Sequence, residues 1–237
     1  MGATLRTGII FTPAGSGFLD EHIRDGGWSI EGTVRQELGN MCCPIGGPYF
    51  EIGGSYMHNY GIDEFVTTSG TLVEIPLGLP PVNMPLQDFF FTRLNHLQRA
   101  SLQLGLGAAW LSPPFLNPSY NDKVLLNVRG GVRFGHVHAR YDQQPTPDLQ
   151  TLIDAVPATS TFVLRDDVEQ TDQFFGLYVA AGLEIASIPV PLFPGMGEFR
   201  LVTEVTYEHS WFDLGAYGES DSGLGTVAAL VGVTVAW

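Results

Sequence analysis

The chain is poor in charge, in lysine, in cysteine and in long apolar runs. Lys123 is its only lysine, and charged residues make up 15% of the 237 positions. An ordinary soluble domain carries roughly 25%. Eleven basic residues against 25 acidic ones leave a net charge of −14, which excludes non-specific binding to a phosphate backbone, so no nucleic acid partner is expected. No run of 18 apolar residues occurs, which excludes a transmembrane helix. No secretory signal precedes the first strand-like segment, so the sequence reads as a mature chain. The two cysteines, Cys42 and Cys43, are adjacent. Neighbouring cysteines rarely bridge each other, because the disulfide strains the peptide between them. No second pair offers a zinc site. They read as two thiols in a turn, with a crosslink to another chain as the alternative.

What the chain has is glycine (29 residues) and an alternation of apolar and polar positions. The period is 2 almost throughout, the signature of β-strands. In 226–237, Val227, Ala229, Val231, Val233, Val235 and Trp237 share one face. In 175–186, Phe175, Leu177, Val179, Ala181, Leu183 and Ile185 share one face, opposite Gly176, Tyr178, Ala180, Gly182 and Glu184. In 198–211, Phe199, Leu201, Thr203, Val205 and Tyr207 oppose Arg200, Val202, Glu204, Thr206 and Glu208. Similar alternation at 3–12, 28–36, 49–59, 97–110 and 123–140 brings the expected total to eight strands. Several exceed ten residues, the length that a tilted strand needs to cross a bilayer.

Sorting charge by face separates two kinds of wall. The polar faces carry Arg6, Arg35, Arg129, Arg133 and Arg200 together with Glu31, Glu51, Glu184, Glu204 and Glu208. The apolar faces carry no Asp, Glu, Lys or Arg in their central spans, only His58, His136 and His209 near strand ends. A polar face of small residues (Gly53, Ser55, Gly105, Gly107, Gly131, Gly182, Gly232) with equal numbers of Arg and Glu suits the interior of a narrow barrel, where buried charges must be paired. The apolar face then meets lipid. Trp28, Trp110, Trp211 and Trp237 all fall on apolar faces at strand ends, Trp28 and Trp211 at one rim, Trp110 and Trp237 at the other. Two aromatic girdles are expected of a membrane-spanning barrel.

Segments 13–27, 60–92, 141–172 and 212–223 alternate with shorter connections at 37–48, 111–122 and 187–197. The expectation is an all-β fold: a closed antiparallel up-and-down eight-stranded transmembrane β-barrel, one domain over 1–237, with long loops on one side. The terminal Leu230-Val231-Gly232-Val233-Thr234-Val235-Ala236-Trp237, a final aromatic with apolar residues at alternate preceding positions, resembles the signal that barrel-assembly machinery reads. With that segment the chain resembles small eight-stranded outer-membrane β-barrel proteins, such as the transmembrane domain of OmpA. The resemblance implies a bacterial, Gram-negative outer membrane, outer-membrane lipid and lipopolysaccharide as surroundings, and Val231, Val233, Val235 and Trp237 as the assembly signal.

Candidate chemistry is sparse. Glu208-His209-Ser210 is loosely like the rim His and Ser of lipid-active barrels, yet neighbouring strand residues point to opposite faces and cannot share a side-chain hydrogen bond. His136-Val137-His138 puts two imidazoles on one face, half of a metal site, with no third ligand nearby in sequence. The acidic run Asp166-Asp167-Val168-Glu169-Gln170-Thr171-Asp172 reads as a solvated loop, with oxygen ligands for Ca²⁺ or Mg²⁺ as the alternative; it lacks the spacing and the glycine of an EF-hand. No cofactor is otherwise expected. Gly46-Gly47 and Gly53-Gly54 open no helix and form no phosphate loop. Eight strands leave an interior just wide enough for side chains, so the paired Arg and Glu are expected to close the lumen. The function expected is a non-enzymatic structural, surface or partner-docking barrel. Its partners would dock at the loops, with their apolar runs Thr71–Leu77 and Phe162–Leu164, or at the Pro-rich turn Ile188–Pro194. A porin-like small-solute channel and a lipid-modifying enzyme are the alternatives.

Overall fold

The computed structural model describes residues 1–15, 23–38, 47–61, 66–67, 72–75, 82–85, 90–111, 124–145, 168–188, 198–213 and 222–236. Eight long strands form the barrel: β1 (Gly2–Gly15), β2 (Ile23–Glu37), β3 (Pro48–Gly61), β4 (Phe90–Leu111), β5 (Val124–Pro145), β6 (Val168–Ile188), β7 (Glu198–Phe212) and β8 (Ser222–Ala236). Each pairs antiparallel with its sequence neighbour, β8 closes on β1, and β3 pairs with β4. The result is the expected closed up-and-down barrel. Among the described residues it contains no helix.

The register sets the size of the barrel. A path perpendicular to the strands runs from Glu37 through Tyr49, Gly107, Arg129, Ala180, Thr206, Ala228 and Ile10, and returns to β2 at Gly27. It comes back ten residues from its start, from position 37 to position 27. Eight strands with that stagger are steeply tilted, about 35–45° to the axis, around an interior that side chains fill. Glycine makes the close inner packing feasible at some positions. A Cβ on Gly105 would meet the Tyr178 hydroxyl and lie 3.0 Å from Glu51 Oε1.

At one end of the barrel, the upper end, the structure extends strands beyond the sequence expectation. β1 runs on to Gly15 rather than 12, β2 begins at Ile23 rather than 28, and β4 begins at Phe90 rather than 97. β5 runs on to Pro145 rather than 140, β6 begins at Val168 rather than 175, and β8 begins at Ser222 rather than 226. Their extra residues are mixed in polarity, so hydropathy alternation fades where backbone pairing continues. Phe90 pairs with Pro145, and Val66–Thr67 pairs with Thr92 and Phe91. The expected loop 60–92 also contains a short hairpin in which Leu72–Ile75 pairs with Val82–Pro85. The first and last connections at this upper end shrink to 16–22 and 214–221, so only 62–89 and 146–167, with the hairpin in the former, are long. The acidic run 166–172 is likewise not simply a loop. From Val168 it is strand, and alternation sends Glu169 and Asp172 to opposite faces. Asp172 accepts the backbone N–H of Asp213 at 2.7 Å. The apolar run Phe162–Leu164, the Cys42–Cys43 pair, Trp237 and most of the Pro-rich turn Ile188–Pro194 lie outside the described residues.

Candidate functional site

Strand alternation turns one residue in two into the barrel, and the inward set stacks in three layers. At the lower end, near the connections 39–46 and 189–197, Glu184 receives Arg35 in a two-pronged pair, the second prong at 3.0 Å. Asn127 donates to the same carboxylate at 2.9 Å and Arg200 at 3.4 Å. Tyr49 donates to Asn127 at 2.6 Å, and its ring lies 5.5 Å from the Arg35 guanidinium. Thr4 and Thr234 share a hydrogen bond of 2.8 Å nearby.

The middle layer is a cross-lumen network. Arg129, fully buried on β5, reaches three other strands: Glu31 of β2 at 2.6 Å, Glu51 of β3 at 2.7 Å, and Glu204 of β7 through Nε at 2.9 Å and Nη2 at 2.6 Å. Arg6 bonds Glu31 at 2.7 Å and Thr33 at 3.2 Å. Arg133 bonds Glu31 at 2.5 Å, Gln103 at 3.1 Å and Glu208. Tyr178 threads this layer: its hydroxyl donates to Glu51 at 2.6 Å, and its ring faces Arg133 at 4.7 Å and Arg129 at 5.3 Å. Each buried carboxylate is thus met by cationic donors, the condition under which such charges persist away from water.

One member of the network is absent from the sequence reading. Arg99 of β4 is 1% exposed and donates to Glu208 (2.9 Å), Ser210 (2.5 Å), Thr226 (2.9 Å) and Met57 Sδ (3.3 Å). Its signal was its spacing: it lies an even number of positions from Gln103, Gly105 and Gly107, and so shares their inward face.

The upper layer is apolar. Ile23, Leu94, Leu97, Val137, Ala139, Tyr141, Phe174, Phe212 and Leu224 form a buried cluster at the end of the barrel that holds the 62–89 and 146–167 connections. A register shift between Leu94 and His96 turns Leu94 inward and allows it to join. The lumen is therefore filled by two kinds of contact, ionic at mid-height and hydrophobic above.

Outside, the wall is apolar and exposed. Leu102 is 72% exposed, Leu106 62% and Val205 57%. A continuous band of this kind far exceeds the few hundred Å² of apolar patch that a soluble monomer tolerates, and it is what a bilayer covers. Trp28 and Trp211 sit at the upper rim and Trp110 at the lower, all facing outward. Trp28 stacks on His58 (centroids 5.9 Å apart) and Phe175 on Trp211 (5.8 Å). Val231 and Val233 face outward near the lower end of β8. The Glu208-His209-Ser210 group does not assemble: His209 packs outside against Trp211, while Ser210 is buried inside and donates to Glu208 at 3.0 Å.

The chain is a closed eight-stranded β-barrel of membrane-spanning architecture. No family model matches it, and no curated protein matches it in sequence. Solved structures similar to it include the attachment invasion locus protein Ail of Yersinia pestis in complex with the heparin analogue sucrose octasulfate, at 12% identity and a TM-score of 0.39, covering 98% of this chain and 97% of that one. The outer membrane protein OprG of Pseudomonas aeruginosa is similar at 10% identity and a TM-score of 0.40, covering 99% and 94%. Neisserial surface protein A is similar at 12% identity and a TM-score of 0.40, covering 100% and 96%.

Proposed function

We propose that this protein is a non-conducting barrel of the bacterial outer membrane that anchors an outward-facing surface, a structural or partner-docking role without enzymatic chemistry. The observation that carries this reading is the filling of the lumen, by ion pairs in the lower and middle layers and by an apolar cluster above them. Arg129 ties β5 to β2, β3 and β7 across the bore, and the Leu94–Leu97–Phe174–Phe212 cluster packs above it. A permeating ion would have to break buried charge pairs and then cross an apolar layer, each costing several kcal/mol. The effort of the fold is spent instead at the upper end. There β4 and β5 rise together beyond β3, joined by the Arg93–Asp142 pair at 2.6 Å. In this reading the raised ribbon and the connections 62–89 and 146–167 are the partner surface, lipopolysaccharide surrounds the upper girdle, and Val231, Val233, Val235 and Trp237 are read by the assembly machinery.

Planar-bilayer recording of the purified chain tests the proposal. Refolded protein, identified by its shift on unboiled gels, should give no resolvable steps. Steady unitary conductance would overturn the closed reading and put the porin-like channel in its place.

A further inference from the structure

The outer wall holds a row of imidazoles that the lipid-facing role does not require. His58 of β3, His96 of β4 and His138 of β5 lie on neighbouring strands at the upper girdle. Their ring centroids are 5.5 Å apart (His58 to His96) and 6.1 Å apart (His96 to His138). Trp28 stacks on the His58 end of the row, and Tyr60 meets His58 edge-on at 5.0 Å. A girdle needs amphipathic rings, and Trp and Tyr serve that purpose without titratable ring nitrogens that can bind a metal.

We propose that His58, His96 and His138 form a surface site for a divalent transition ion of the zinc class at the membrane–water interface. With imidazole nitrogen about 2.0–2.1 Å from the metal, two rings on one ion have centres roughly 5–5.5 Å apart. The observed spacings are at or just above this. In the register, His58 and His138 both lie across from Gln98, one on each side of β4. Strands are spaced about 4.8 Å apart, so these two histidines start about 10 Å apart with His96 between them. His58 and His96 stack, His96 and His138 are tilted by 38°, and no group of three such donors among the described residues is gathered around one point. Capture of an ion therefore requires the rings to turn about their side-chain bonds. All three histidines are only half-buried on the outer face, so the backbone can stay in place.

A second observation points the same way. His138 Nδ1 lies 3.1 Å from Thr171 Oγ1 of β6. An oxygen partner on one ring nitrogen orients the imidazole and leaves the other nitrogen as the ligand, the usual outer-shell arrangement of metal-binding histidines. The one cation directly opposite the row, Arg140 across from His96, faces Glu169 on its other side, so it does not leave the row under a net positive field. The His136-Val137-His138 pair noted in the sequence supplies one of the ligands; the other two come from strands distant in sequence.

The test is a Zn²⁺ titration of the full chain in detergent against a competing chromophoric chelator. One ion per chain should bind, His96→Ala should weaken it at least tenfold, and Thr171→Ala about tenfold through loss of ring orientation. His209→Ala, on the opposite wall, should bind like the parent. So should the double variant Cys42→Ser/Cys43→Ser. A large excess of Ca²⁺ should leave the ion in place, because calcium prefers oxygen ligands. The gel shift of each variant reports folding, and His96→Gln replaces His96→Ala if the alanine variant fails to fold. Absence of saturable binding, binding unaffected by the His96 change, loss in the cysteine double variant, or displacement by Ca²⁺ would each overturn the site. These readouts are independent of whether the barrel conducts.

Discussion

Replacing Arg129 with methionine keeps an unbranched stem, two atoms shorter, and removes the charge that joins β5 to three other strands. Its carboxylate partners are not left equal. Glu31 keeps Arg6 at 2.7 Å and Arg133 at 2.5 Å. Glu204 keeps the Thr206 hydroxyl at 3.1 Å and Arg6 at 3.8 Å. Glu51, 1% exposed, keeps only the Tyr178 hydroxyl at 2.6 Å among the described residues. Breaking a buried pair from one side costs about 3–5 kcal/mol, because a charge is left unpaired. At a urea slope of about 2 kcal/mol per molar, a loss of that size moves the unfolding midpoint by about 2 M. Most of the loss falls on Glu51, so Glu51→Gln on top of Arg129→Met should recover about 1.5–3 kcal/mol, the upper part of the range of coupling seen between contacting groups. The assay is urea unfolding in lipid vesicles, followed by tryptophan fluorescence and by the gel shift. A loss below about 1 kcal/mol for the single variant, or a double variant no better than the sum of the two singles, would refute the reasoning.

Leu102 projects from the middle of β4, between His96 at the upper girdle and Trp110 at the lower. Leu102→Arg should cost about 2–4 kcal/mol in vesicle unfolding, whereas Gln36→Arg near the lower rim should cost about 0–1 kcal/mol; equal costs would show that the wall does not face lipid. Asp142 lies above the girdle, where burial pushes its carboxyl upward but hydrogen bonds from Arg93 and Asn95 and the Arg93 charge hold it below the usual range. Its contribution is therefore present above the unfolded carboxylate range near pH 3.9 and lost as pH falls through the lower folded value. Protection factors of the amides in 90–93 and 142–145, taken relative to the intrinsic exchange rate at each pH, should be high at neutral pH and fall in acid below the unfolded carboxylate range, and Asp142→Asn should remove most of that difference.

The eight strands and their two faces were legible because alternation is a local signal, and a wall between lipid and a packed lumen enforces it strictly. Ten charged residues sort to the inward face from parity alone, and parity extended along β4 would have added Arg99. The apolar upper layer was not legible. Leu97, Val137 and Phe174 occupy a face that is polar lower down, so they look like exceptions to the pattern. Leu94 joins them only because the irregularity before His96 reverses the parity. The imidazole row was hidden for another reason. His58, His96 and His138 come together through the steep stagger of the sheet, and stagger is a property of closure that no single strand encodes.

The placement of charge also bears on how one register is chosen. Within lipid, the outer wall cannot drive association by hydrophobicity, since the surroundings are as apolar as the wall. Backbone pairing alone would accept strands slipped by a residue or two. A one-residue slip exchanges the faces, and for β5 it would carry Arg129 and Arg133 into lipid at about 2–4 kcal/mol apiece near the midplane. A two-residue slip keeps the faces but moves each guanidinium by roughly 6–7 Å along its strand, out of reach of its carboxylates. The pairs from Arg129 to Glu31, Glu51 and Glu204 join strands that are not neighbours in the sheet. They therefore tie the stagger across the bore, which neighbour-to-neighbour pairing cannot do. The network that fills the lumen is thus also the element best placed to specify a barrel with this stagger and no other.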